Sequence, residues 1–202
     1  MKKIAMFGGS FNPVHKAHIK LCEIFIEKEN LTEVVLVPTN ITPLKNNSEI
    51  ISPIHRLNMC TLATENHPKI KVSDIEIKRK GKSFTSDTIR ELKNMYGDDT
   101  EFFLIVGADM FLTLDKWHDF EYIMKNAVIL ASLRDDVSAE DMQKAYEGYK
   151  KYGCKARFYE STIEDISSTK VRQMIKNSEN TEDFLDKQVI KYIEDNKLYG
   201  YE

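Results

Sequence analysis

Lys3-Ile4-Ala5-Met6-Phe7-Gly8-Gly9-Ser10-Phe11-Asn12-Pro13-Val14-His15-Lys16-Ala17-His18 runs from an apolar, strand-like segment through paired glycines into a helical pattern that continues to about residue 28. Without a Cβ, the paired glycines let backbone N–H groups come close to a bound phosphate. His15 and His18 are three residues apart and share a helix face, so both rings could reach oxygens at that helix's N-terminus. Gly8, Gly9, His15 and His18 are therefore candidate phosphate-site residues. Two other readings of H-x-x-H stay open at this point: a pair of solvated histidines, or a metal pair, for which no third ligand of suitable spacing is evident.

The same alternation of strand and helix continues along the chain. Strands are predicted at Lys3–Phe7, Glu33–Val37, Lys71–Ile77, Glu101–Val106, Ala127–Ala131 and Lys155–Tyr159. Helical patterns lie at about 15–28, 53–64, 85–95, 119–126, 138–150, 168–177 and 182–195. Runs such as Val34-Val35-Leu36-Val37 lack polar alternation, so both faces of the sheet should be covered. The expected fold class is α/β, a doubly wound and mostly parallel sheet, whose ligands bind where the strand order reverses. A length of 202 residues suits one domain, 1–202, with the last helix packed on it. The Asn- and Pro-rich stretch Pro38–Ser52 reads either as a lid or as a surface excursion.

Composition excludes several classes of function. Lys+Arg 29 against Asp+Glu 32 leaves a net charge of -3, which argues against a surface that grips nucleic acid. The three cysteines, Cys22, Cys60 and Cys154, have neither disulfide-framework nor zinc spacing. The opening apolar run is too short for a signal peptide, and no run is long enough to cross a bilayer. A cytoplasmic protein with no membrane partner is expected.

Two helix starts run against the helix dipole, which favours acidic residues in the first turn. The first helix has His15, Lys16, His18 and Lys20 early and Glu23, Glu27 and Glu29 late. Ser167-Ser168-Thr169 opens another, with Lys170 and Arg172 in its first turn. An anion bound at both starts would turn each small penalty into a gain.

The segment Gly8–His18 resembles the signature of the nucleotidyltransferase superfamily. Ile166-Ser167-Ser168-Thr169-Lys170-Val171-Arg172 resembles its second motif. Gly107-Ala108-Asp109 with Trp117, Ser83-Phe84-Thr85 with Asp87-Thr88, and Arg56 at the second helix are similar to segments of the bacterial nicotinate-nucleotide adenylyltransferases. The resemblance covers nearly the whole chain. It implies a Rossmann-like fold and transfer of AMP from ATP to nicotinate mononucleotide, a late step of NAD biosynthesis. It also implies roles for named residues. His15, His18 and Arg172 would be catalytic, and Gly8 to Phe11 with Ser167, Ser168 and Thr169 would bind ATP. Lys45, Thr85, Asp109 and Trp117 would bind the mononucleotide. Mg2+ would be carried mainly by the ATP phosphates, with no dedicated protein metal ligands. Thr85 would also serve as a helix N-cap, Asp109 could cap the next short helix, and Asn12, where the family more often has Asp, would keep an N-cap. Ala17 stands where Gly is usual, and Thr42-Pro43-Leu44-Lys45 where P-P-H-K is common. The alternatives are a relative that prefers nicotinamide mononucleotide or another phosphate acceptor, and a non-catalytic nucleotide-binding protein.

Overall fold

The structure, a computed structural model, describes residues 1–43, 50–133, 137–160 and 166–201. Among them, the strands β1 (Lys2–Gly9), β2 (Glu33–Pro38), β3 (Ile70–Val72), β4 (Thr100–Gly107), β5 (Val128–Leu133) and β6 (Lys155–Glu160) form one sheet in the order β3-β2-β1-β4-β5-β6. Every pairing in it is parallel. The chain leaves β1 toward β2 on one side and returns to β4 on the other. The strand order therefore reverses between β1 and β4, as expected for a doubly wound sheet.

Alternate strand residues feed two apolar layers. Ala5, Phe7, Val34, Leu36, Phe103, Ile105, Val128 and Leu130 face one layer. Ile4, Met6, Val35, Val37, Phe102, Leu104, Ile129 and Ala131 face the other. The first layer is closed by α1 (Lys16–Glu29), α2 (Pro53–Thr64), α8 (Ser168–Lys176) and α9 (Lys187–Asp195), through residues such as Phe25, Met59, Val171 and Val189. The second is closed by α4 (Thr85–Tyr96), α5 (Ala108–Phe111), α6 (Phe120–Asn126) and α7 (Ala139–Lys150), through Leu92, Phe111, Met124 and Met142. Continuous apolar strands are the sequence mark of this two-sided burial.

Four local readings are corrected. The third strand ends at Val72, and the chain turns into α3 (Ile75–Arg79) where the alternation of Ile75 and Ile77 predicts more strand. Glu76 between them is buried and both isoleucines are half-exposed, the reverse of the strand reading. The last helix starts at Lys187, not 182, because the Asp186 carboxylate accepts from Gln188 N–H at 2.8 Å and caps it. The segment 181–185 is instead a turn closed on the Thr181 carbonyl. At α1, His15 occupies the N-cap position in place of Asn12, and α1 runs through the buried Ala17. Phe84 holds the N-cap position of α4, which makes Thr85 the first helical residue. No helix among the described residues is long and apolar enough to cross a membrane.

Candidate active site

The turn after β1 carries the first cluster. Gly9 ends β1 beside Pro38 of β2, and its carbonyl accepts from Thr39 N–H at 2.9 Å. A Cβ on Gly9 would lie 3.1 Å from the Phe11 ring, so a side chain there would push on a buried aromatic. Phe11 itself has φ +45°, a left-handed conformation that an L-residue adopts at a cost of about 1 to 3 kcal/mol. Nothing in the sequence signals this twist.

His15 and His18 stack with ring centroids 3.6 Å apart, and His18 also meets the edge of Phe11 at 5.1 Å. The His15 backbone N–H donates to His18 Nδ1 at 3.2 Å. Since Nδ1 accepts there, a neutral His18 carries its proton on Nε2, which makes that nitrogen a donor. His15 is buried and His18 half-buried.

The second motif meets the first directly. Ser167 caps α8, accepting from Lys170 N–H at 3.2 Å. The Ser168 hydroxyl donates to the Pro13 carbonyl at 2.9 Å, and Arg172 Nη1 donates to the Asn12 carbonyl at 3.0 Å. Arg172 Nη2 also reaches the Thr169 hydroxyl at 3.3 Å. Segments more than 150 residues apart are thus joined at the start of α1.

The lysines that run against the dipole have another explanation than a bound anion. Lys16 Nζ donates to the Glu182 carbonyl at 2.7 Å, and Lys16 N–H to the Phe184 carbonyl at 2.8 Å. Lys170 Nζ lies 5.5 Å from the Phe184 ring centre. The turn at 182–184 therefore satisfies both cations and the first backbone donor of α1. An anion at the two helix starts would meet the imidazoles, the hydroxyls of Ser168 and Thr169, and Arg172, with Ser168 and Arg172 giving up the carbonyls they hold. A cleft of about 490 Å3, lined by His15, Lys16, Ile166 and Phe184 among others, opens between α1, the end of α2 and this turn.

A second cluster lies across the end of the sheet. The loop after β2 is stitched to the segment before α4: Ser83 N–H donates to the Ile41 carbonyl at 2.9 Å, and Asn40 N–H to the Ser83 hydroxyl at 2.8 Å. The start of α4 meets the segment after α5 through His118, which stacks on Phe84 at 4.3 Å and approaches the Ser86 hydroxyl at 3.3 Å. Thr85 and Trp117 are thereby brought into one neighbourhood. Trp117 is half-buried against the second apolar layer, and its indole N–H is buried with no hydrogen-bond partner among the described residues. Asp109 is exposed in the first turn of α5, and its side chain makes no cap. A Cβ on Gly107 would lie 2.6 Å from Asp109 Oδ1, so this carboxylate folds back over Gly107 and a larger residue there would make it swing aside. Lys45 lies outside the described residues. Among the described residues, no three His, Cys, Asp or Glu side chains stand where they could share a metal ion.

Sequence reasoning singled out Arg56 and Asn12 without the contacts they make, and it missed Tyr199. Arg56 is fully buried and donates only to main-chain carbonyls. Asn12 Oδ1 accepts from Tyr199 OH at 3.0 Å and from Ile51 N–H at 3.3 Å, which ties the C-terminal segment and the entry to α2 to the first motif. Burial raises the Tyr199 phenol well above its usual range, so it stays a protonated donor. The only sequence signal was the resemblance at Arg56; for Tyr199 there was none.

Paired glycines and stacked histidines thus lie at the switch point of a parallel sheet, met there by a capped Ser-Ser-Thr-x-x-Arg helix start. Residues 6–174 match the family model described as "Cytidylyltransferase-like". A "Probable nicotinate-nucleotide adenylyltransferase" of Lachnoclostridium phytofermentans is 36% identical over 194 residues, covering 96% of each chain. The nicotinate-nucleotide adenylyltransferase of Bacillus subtilis is 31% identical over 199 residues, covering 98% of this chain and 99% of that protein. In fold, the chain is similar to the Plasmodium falciparum nicotinic acid mononucleotide adenylyltransferase solved with NaAD, with a TM-score of 0.81 at 20% identity over 100% and 99% of the two chains. The chain belongs to the nicotinate-nucleotide adenylyltransferases of the cytidylyltransferase-like family.

Proposed function

We infer that this protein transfers the adenylyl group of ATP to nicotinate mononucleotide, yielding nicotinate adenine dinucleotide and pyrophosphate for NAD biosynthesis. The observation that carries the reading is the junction of the two motifs, where Ser168 and Arg172 hold the Pro13 and Asn12 carbonyls beside the stacked histidines. The mononucleotide phosphate oxygen attacks the α-phosphorus in line, one P–O bond forms, and the bond to the β-phosphate oxygen breaks. No covalent nucleophile is needed; alignment and charge stabilisation drive the step.

In this reading, Gly8 to Phe11, with the Ser10 hydroxyl, line the triphosphate. His18 donates from Nε2 to the α-phosphate, where charge develops, and His15 supports its ring by stacking. Ser167 caps α8, while Ser168, Thr169 and Arg172 turn from their carbonyl and hydroxyl partners to the β- and γ-phosphates and stabilise leaving pyrophosphate. Thr85 and Trp117 frame the pyridine, whose electron-poor face suits stacking on indole. Asp109 accepts from ribose hydroxyls, and Lys45 approaches the acceptor phosphate. Imidazole, hydroxyl and guanidinium groups suit phosphate oxygens better than a hard cation, so Mg2+ would enter as the counter-ion of ATP, neutralising its charge. We take residues 1–202 as one domain because Leu185, Val189, Ile193 and Leu198 share the apolar layer of β1 and α1, and we propose that it works in the cytoplasm.

Pyrophosphate release from ATP and Mg2+ with a panel of acceptors tests the reading. Nicotinate mononucleotide should be the best acceptor, ahead of nicotinamide mononucleotide, phosphopantetheine and flavin mononucleotide. Release with none of them would overturn it in favour of nucleotide binding without catalysis.

A further inference from the structure

Among the described residues, Arg56 is the largest fully buried side chain, and its charge has no carboxylate partner. Nε donates to the Ile51 carbonyl at 3.1 Å, Nη1 to Ser10 at 2.7 Å, and Nη2 to Thr39 at 2.5 Å and Asn40 at 3.3 Å. Taking an arginine out of water is costly, and truncating such a group leaves its partners unsatisfied. A hydrophobic side chain on α2 would fill the same space without that cost. What a guanidinium adds is a rigid fork of donors that spans several acceptors at once.

The acceptors belong to both halves of the site. Ser10 lies in the glycine turn assigned to ATP, and Thr39 and Asn40 begin the loop that leads to the acceptor cluster. The chain of contacts continues, because Asn40 N–H donates to the Ser83 hydroxyl at 2.8 Å and Asn40 Nδ2 to the Gly81 carbonyl at 3.0 Å, two and four residues before Thr85. The bond to the Ser10 carbonyl has a further effect. In a trans peptide the N–H points opposite to the C=O, so Arg56 turns the Phe11 N–H away from the buried guanidinium.

We propose that Arg56 and Ser83 are positioning residues that form a buried bracket, Ser10–Arg56–Asn40–Ser83, holding the donor half-site and the acceptor half-site in register for in-line transfer. The bracket rests on the functional reading above. It predicts that breaking it leaves each half able to bind its own ligand and damages the alignment between them. Lysine at position 56 keeps the charge, but one ammonium cannot reach carbonyls of three segments.

In Arg56→Lys, turnover per ATP-binding site should fall about 100-fold, the effect of a displacement near 1 Å, with both KM values close to wild type. Ser83→Ala removes the Asn40 link, together with the hydroxyl's interaction with Glu76, so its turnover should fall about 5- to 10-fold with the same split. It carries the test if the Arg56 variant does not fold. A residue needed only for folding would lower the melting temperature and the number of ATP sites, leaving turnover per site unchanged. Amide hydrogen exchange supplies a readout that does not depend on turnover. A non-hydrolysable ATP analogue, with no acceptor present, should protect the amides of residues 39–41 in the wild type, and this protection should be lost in Arg56→Lys. Wild-type protein that binds the analogue without protecting 39–41, or variants with wild-type turnover per site, would overturn the bracket. If the protein binds ATP and shows the transmitted protection but accepts no pyridine mononucleotide, the substrate reading falls and the bracket stands. Failure to bind ATP overturns both.

Discussion

At the scale of single residues, His18 combines a defined tautomer with a packed ring. Its Nδ1 is occupied by the His15 N–H, and its ring is fixed between His15 and Phe11. A donor set in this way needs no reorganisation during transfer, and removing such a donor costs on the order of 100- to 1,000-fold in turnover. His18→Ala should therefore lose about that much, with native circular dichroism; near-wild-type turnover would remove His18 from the mechanism. Trp117 offers a second test, because it is the only tryptophan in the chain. Nicotinate mononucleotide stacked on its ring should quench its fluorescence to saturation, and an unchanged spectrum at saturating ligand would exclude the stack. The histidines stood out as candidates by residue type and spacing, and the tryptophan only through the resemblance. The left-handed Phe11 was not legible, since nothing in its own side chain favours a positive φ.

Secondary-structure elements show where local patterns mislead. Ile75 and Ile77 predict a strand, yet α3 buries Glu76 instead. The Glu76 carboxylate accepts from the Thr88 hydroxyl at 2.6 Å and lies 3.9 Å from Arg79, so α3 is tied to α4 at the base of the acceptor cluster. Burial raises the Glu76 pKa above its ordinary value, against the opposing pull of the Ser83 and Thr88 hydroxyls and of Arg79. The folded state therefore keeps this proton to higher pH than the unfolded chain. Stability is lost as pH rises from the usual carboxylate range, about 4.3, through the raised value, and it is not regained above it. Glu76→Gln, which keeps the acceptor for Thr88, should melt higher than wild type at neutral pH, and this advantage should vanish in acid. A gain that is independent of pH would assign the effect to packing. The reversed charges at the starts of α1 and α8 teach the same lesson. They correctly marked both helix starts, but the turn at 182–184 accounts for the two lysines.

Across the whole molecule, two apolar layers seal a fully parallel sheet, and all three cysteines are buried within them. Burial pushes the Cys154 thiol up to about 11, and Cys22 and Cys60 higher still. At pH 8 the thiolate, which is the reactive form, is scarce at every one of them. A thiol reagent should therefore leave native protein unmodified and titrate three groups once denaturant is added; a fast-reacting native thiol would show that one layer opens locally. The C-terminal segment belongs to the same body. Tyr199 reaches Asn12 and the Phe184 carbonyl caps the backbone of α1, so the end of the chain shapes the turn that its beginning contributes to the site.

The amino-acid sequence by itself determined the strand–helix alternation, the two-sided burial of the strands and both motifs, because these depend on residue type at short spacing. Tertiary structure alone decided how the parts meet. It joined Ser168 and Arg172 to the first motif, turned 181–185 away from helix, and set a buried guanidinium between the two halves of the site. Such contacts link residues up to 187 positions apart, and no periodicity in the chain records them. They exist because a polar group buried by folding must find a partner, and which partner it finds depends on where the sheet brings each loop.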